Sequence, residues 1–129
     1  MNLLLDTHIL LWALAENDKL PAKAKELILN KANTIIFSIA SMWEIAIKHQ
    51  IKPEAISLSG TQFLHYCEQS GYSRISIKDR HIIELEKLPP IHKDPFDRIL
   101  IAQAVSENMT LITHNKIIAS YNLQEITVV

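Results

Sequence analysis

The stretch "NLLLDTHILLWAL", residues 2–14, passes from a short apolar run into a helical pattern, with one carboxylate, Asp6, at the junction. The run at 2–5 reads as a strand and the pattern from Thr7 as a helix. The same alternation continues along the chain. "TIIF" (34–37), "RISI" (74–77), "TLIT" (110–113) and "ITVV" (126–129) read as further strands. They are mostly apolar throughout, as in a sheet covered on both faces. Between them, "AKAKELILNKA" after Pro21, "SIASMWEIAIKH", "TQFLHYCEQS", "DRHIIELEKL" and "PFDRILIAQAVSEN" carry helical patterns. Strand and helix in alternation predict an α/β protein: a three-layer α/β/α sandwich around a mostly parallel, five-stranded sheet. In such sheets, ligands bind beyond the carboxyl ends of the strands.

The totals agree with a globular chain. Its 129 residues predict one domain, 1–129. Apolar residues make up 48% and charged residues 21%, enough for a real core. A single cysteine, Cys67, precludes an internal disulfide and suits a reducing cytoplasm. The N-terminus lacks the basic region of a signal peptide, and Asp6 and His8 interrupt its apolar run. No apolar run is long enough to span a bilayer. A formal net charge of −1 argues against bulk, non-specific nucleic-acid binding and leaves room only for a local basic patch.

The acids carry the chemistry. In "HKDPFDRILIAQA" (92–104), Asp94 is a good N-cap, Pro95 takes the first helical position, and Asp97 falls in the first turn, facing the positive end of the helix dipole. Capping alone accounts for that stretch. Asp6 likewise caps the helix from Thr7. Glu44 is harder to explain, because its helix is apolar almost all round. A capping box with Ser41 would start that helix after much of its apolar run. An i,i+4 pair with Lys48 needs an exposed face. A buried glutamate needs a partner, and a metal ion is one. Asp6, Glu44 and Asp97 each follow a strand or head a helix, the places that converge on one crevice in a parallel sheet. Several carboxylates ionised in one crevice call for a cation, and hard oxygen ligands suit Mg²⁺ or Mn²⁺.

"LLLDTHILLWAL", "SIASMWEIAIK", "DPFDRILIAQA" and "LITHN", taken in that order, resemble the motifs of the PIN domain, in particular the VapC-type ribonuclease toxins of bacterial toxin–antitoxin pairs. The resemblance covers nearly the whole chain. It implies a Mg²⁺-dependent endoribonuclease, with Mn²⁺ able to substitute, and it sets Asp6, Glu44 and Asp97 around the metal, with Asp6 and Asp97 as principal ligands. Thr113 is the small hydroxyl residue of the last motif. Two residues on, where the family usually has an aspartate, this chain has Asn115, and Asp94 is the nearby acid that makes good the missing charge. The catalytic set is thus Asp6, Glu44, Asp94 and Asp97, with Thr7, Lys93, Arg98, Thr113 and Asn115 as substrate-binding candidates. The resemblance also implies an RNA substrate, a homodimer, and an antitoxin whose C-terminal segment lies in a groove and offers an Arg or Lys to the acids.

Other readings fit less well. A phosphatase of the haloacid-dehalogenase type needs an acid two residues after Asp6, where this chain has His8. A receiver domain needs a phospho-accepting aspartate after its third strand, and Asp79 supplies it weakly. The six histidines show no paired metal-ligand spacing. The aromatic residues, Trp43 and Phe96 among them, stand mostly at core-like positions and give no clear stacking platform, so recognition of RNA shape is equally open. The remaining alternative is a non-catalytic PIN fold that serves as an RNA-binding or protein-interaction module, for which Asn115 is the best argument.

Overall fold

The computed structural model describes all residues, Met1–Val129. Five strands, β1 (Asn2–Leu5), β2 (Thr34–Ser38), β3 (Ser73–Ile75), β4 (Thr110–Thr113) and β5 (Ile126–Val128), form one sheet in the order β3-β2-β1-β4-β5. Every neighbouring pair is parallel, with Leu3 opposite Ile35 on one side and Thr110 on the other. The expected sheet was mostly parallel, and this one is wholly so.

Strand β1 is central, and alternation sorts its side chains. Leu3 and Leu5 join the core on one face and Leu4 the core on the other. Ile35 and Phe37 follow the first pair and Ile36 the second. Both faces are therefore apolar, so helices must cover both. On the Leu3 face lie α1 (Thr7–Leu14), α2 (Ala22–Leu29) and α4 (Gly60–Gln69), contributing Ile9, Leu10, Ala24, Phe63 and Cys67. On the Leu4 face lie α5 (Asp79–Glu86), α6 (Pro95–Glu107) and the short α7 (Lys116–Ala119). Helix α3 (Ile39–Ile51) serves both layers, with Ala40 in one core and Ile45 in the other.

Helix α6 is the best buried, with Ile99 to Ala104 buried without a break. Its start is the one the sequence predicts: Asp94 Oδ1 accepts from the backbone N–H groups of Phe96 and Asp97, and Pro95 follows the cap. It ends at Asn108, whose left-handed φ of 55° is a conformation asparagine tolerates. Helix α7 was not expected, because a single turn is too short to show a helical period. The sheet order reverses between β1 and β4, where chain connections leave in opposite directions. That switch point is where a parallel sheet opens a crevice. Asp6 and Thr113 stand at its two lips.

Leu4 is fully buried in the central strand. Leu4→Ala is expected to lower unfolding free energy by about 2–5 kcal/mol, as for other buried leucines. Urea denaturation measures this, and a loss below about 1 kcal/mol would contradict the place given to β1.

Candidate metal centre

Asp6 leaves the end of β1 with only 3% of its surface exposed. One carboxylate oxygen, Oδ1, accepts from the Ile9 N–H and so caps α1. The other accepts from the Thr113 hydroxyl at 2.5 Å, across the switch point from β4. Thr113 in turn accepts from the Asn115 N–H. Capping and site-building are thus done by different oxygens of one side chain.

Glu44 is as buried as Asp6. Its Oε1 lies 2.8 Å from the Thr7 hydroxyl, which is also 2.9 Å from Ser41 Oγ. Thr7 has one proton to give. The carboxylate takes it, and the Ser41 hydroxyl supplies a proton in return. Glu44 Oε2 pairs with Lys48 at 2.6 Å, with the lysine about half exposed. The i,i+4 pair that the apolar look of α3 argued against is therefore present. The reason is an inverted helix: Ser41 and Glu44 face inward, while Trp43 and Ile51 face solvent. The capping box with Ser41 is not formed, since Ser38 caps α3 by accepting from the Ala40 N–H.

Asp97 is half-buried on the first turn of α6, and its Oδ2 lies 2.8 Å from His92 Nε2. His92, Asp94 and Asp97 can bring one ligand atom each within 4.8 Å of one another. His92 carries no signal in the sequence, because no second histidine stands at ligand spacing. Its place comes from the loop before α6. The His92 N–H donates to the Tyr121 hydroxyl, which also accepts from the Arg98 guanidinium.

The acids sense one another. Burial pushes the Asp6 carboxyl above its ordinary value against the hydrogen bonds from Thr113 and Ile9, and the Glu44 charge adds to the rise. Burial does the same to Asp97 against the His92 bond, helped by the charges of Asp94, Glu44 and Asp6. Partial burial works against the Lys48 charge, but Glu44 and, at longer range, Asp94 and Asp97 prevail and raise its pKa. Asp6 and Glu44 thus sense each other, and Asp97 senses Asp94, Glu44 and Asp6, while the set of three whose ligand atoms close to within 4.8 Å is His92, Asp94 and Asp97, without Asp6 or Glu44. The crevice holds more negative charge than one half-exposed lysine balances, and its donors are mainly hard oxygens, a set that fits a Mg²⁺ or Mn²⁺ ion.

The other candidates are placed differently. Thr7 and Thr113 are buried and support Glu44 and Asp6 rather than face a substrate. Arg98 spends its donors on the carbonyls of Pro89 and Leu85 and on Tyr121, so it braces the loop that carries His92. Asn115 Oδ1 accepts from the Ile117 and Ile118 N–H groups and caps α7, which removes it as a ready ligand. Lys93 alone is exposed beside the acids. Nor are all the aromatic rings in the core: the Trp43 side chain is 57% exposed.

Fold and site define an α/β domain with an acidic crevice at the switch point of a parallel sheet. The chain belongs to the PIN domain family, whose model matches residues 3–122. Among curated proteins, none matches the chain in sequence. Among solved structures, it resembles a chain of the VapBC2 complex from Rickettsia felis bound to a DNA fragment from their promoter, with 19% identity, a TM-score of 0.68, and coverage of 100% of this chain and 98% of that one. It also resembles a chain of a toxin–antitoxin complex from Klebsiella pneumoniae, with 19% identity, a TM-score of 0.62, and coverage of 97% and 95%.

The raised pKa of Asp97 has a sign. A carboxyl that titrates higher folded than unfolded gives stability present below the unfolded pKa and lost as pH rises through the folded one. His81, pushed down by burial, contributes in the opposite direction, so the comparison must isolate Asp97. Stability of Asp97→Asn minus that of the parent, measured by urea unfolding in EDTA, should shift in favour of the variant between about pH 4 and pH 7. A difference that shifts toward the parent would contradict the burial of an uncompensated charge.

Proposed function

We propose that the chain is a divalent-metal-dependent endoribonuclease, the toxin of a toxin–antitoxin pair. One observation carries this reading: Asp6, Glu44, Asp94 and Asp97 gather at the switch point with too little cationic charge of their own. Family membership supports it, since the PIN domain match over residues 3–122 spans all four acids. When bound, a Mg²⁺ or Mn²⁺ ion supplies an acidified water and neutralises charge on a phosphoryl group. Asp6 and Asp97 would hold it, with the free Oδ2 of Asp94 and the His92 ring next in reach.

The chain's own residues do the rest. Thr113 fixes Asp6 in one rotamer, and Thr7 with Ser41 fixes Glu44. Glu44, tied to Lys48, is less free to act as a ligand and is suited to orient the attacking water and take its proton. Lys93 is free to meet the RNA backbone, and Lys48 lends positive potential from the α3 side. No glycine-rich loop is available for phosphate, as the chain has two glycines, Gly60 and Gly71.

The antitoxin reading rests on a groove and on the neighbours. A groove of about 600 Å³ lies along α1, lined by His8, Leu11, Trp12, Ile56, Leu58 and Tyr66 among others. His8 is two residues from Asp6, so an apolar segment lying there could place a basic side chain at the acids. That structures resembling this chain include the VapBC2 complex and a toxin–antitoxin complex supports such a partner. A homodimer is part of the same proposal, with apolar side chains left exposed at Ile82 and Ile83 of α5. Asn115 favours a second reading, a binding module without catalysis.

Cleavage of total RNA by the purified protein with and without Mg²⁺ separates the two. The enzyme reading expects Mg²⁺-dependent cleavage that Asp97→Asn abolishes, with stability changed by about 1 kcal/mol or less. Asp94→Ser retains a capping oxygen and should weaken cleavage with little change in melting. An Asp97→Asn protein of full activity would overturn the catalytic assignment. A parent protein that binds RNA without cleaving it would establish the binding module.

A further inference from the structure

We infer that Trp43 is a stacking platform for an unpaired nucleobase of the RNA strand held at the acidic crevice, and so a residue that helps choose the substrate. The inference rests on the ribonuclease reading above. Three observations carry it. Trp43 exposes 57% of its side chain, more than any other aromatic residue of the chain. It is not adrift: its ring meets Phe96 with centroids 5.1 Å apart and planes at 82°. A perpendicular contact anchors the indole through one edge or face and leaves aromatic surface for another ring. Both rings are adjacent to the acids in the chain. Trp43 precedes Glu44 on α3, and Phe96 lies between Asp94 and Asp97, its N–H bonded to Asp94 Oδ1. The pair therefore spans α3 and α6 beside the carboxylates.

Charge explains why such a platform is needed. Proteins that hold RNA by its phosphates rely on many lysines and arginines. This chain has a formal net charge of −1, an acidic crevice, and Arg98 committed to the Tyr121 network. Backbone attraction is therefore weak, and affinity has to come from the bases. Stacking on an indole supplies it without charge, and any base has a face to offer. A protein partner seated on Trp43 is the competing occupant, but one exposed indole backed by the half-buried Phe96, on the two helices that carry Glu44 and Asp97, fits a single flat base better than a broad interface.

The test is a cycle of protein and ligand changes. Fluorescein-labelled octa-uridylate, and the same octamer with one abasic position at each site in turn, are titrated by anisotropy in Mg²⁺. Asp97→Asn is carried in every protein to stop turnover. Trp43→Ala is expected to weaken octamer binding about five- to 150-fold, the span for one base on one aromatic ring, and Trp43→Phe to retain most of it. One abasic position should weaken binding to the Trp43 protein by a similar factor and leave Trp43→Ala binding unchanged, so the two losses do not add. Separately, with Asp97 intact, Mg²⁺ should raise the melting temperature of Trp43→Ala and parent alike, which shows that the acids are undisturbed. Equal binding with and without Trp43 would overturn the platform and leave the ribonuclease reading in place. Additive losses would overturn it too, because the ring would then act on the backbone or the fold. Unchanged RNA binding with an altered oligomeric state by light scattering would assign the ring to a protein interface. If the octamer does not bind even with Trp43 present while the parent still cleaves RNA, the platform alone falls. If it neither binds nor is any RNA cleaved, both readings fall.

Discussion

Like charge gathered in a buried crevice is the constraint around which this structure is arranged. A carboxylate at the end of a central strand costs free energy when desolvated, and three more acids nearby raise that cost. The fold tolerates it because Asp94 is held by N–H groups of the helix it caps and the other three acids by donors from other segments. Thr113 of β4 holds Asp6 of β1, Thr7 of α1 holds Glu44 of α3, and His92 of the preceding loop holds Asp97 of α6. The crevice is thus a place where five elements are stitched together by side chains whose apolar surroundings would otherwise expel them. Such a price in stability is commonly met at functional sites.

A second layer stands behind the first. Tyr121 sits in the Leu4-side core, and its hydroxyl accepts from both the His92 backbone and Arg98. Arg98 in turn grips the carbonyls of Leu85 and Pro89. The loop between α5 and α6 is therefore fixed at its middle and its end, and His92 reaches Asp97 without needing a helix of its own. This gives Arg98, which follows Asp97 directly, a role in orienting the site rather than in meeting substrate.

The sequence made the fold legible because strand period and helix period are local. Leu3, Leu4 and Leu5 announce a strand covered on both faces, and Asp94-Pro95 announces a helix start whatever the rest of the chain does. Asp6, Asp94 and Asp97 were legible for the same reason, each at a junction, whereas Glu44, in the second turn of α3 and not at its head as expected, stood out only as an acid in an apolar helix. What was hidden depends on tertiary context. Periodicity shows that α3 is largely apolar but not which side faces in, and here Trp43 turns out while Glu44 turns in. His92 was hidden because its partner is fixed by a loop and a tyrosine 29 residues away. Asn115 read as a substrate-binding candidate in place of the family's aspartate, yet its oxygen caps α7, a single turn too short to foresee.

The central claim is that these acids gather to hold a divalent ion at the switch point. Diffraction from crystals soaked in Mn²⁺, recorded at the manganese absorption edge, tests it most directly. An anomalous peak is expected between Asp6 and Asp97, about 2.0–2.3 Å from a carboxylate oxygen of each. A crevice without a peak at saturating Mn²⁺, or an ion on His92 and Asp94 out of reach of Asp6, would contradict it.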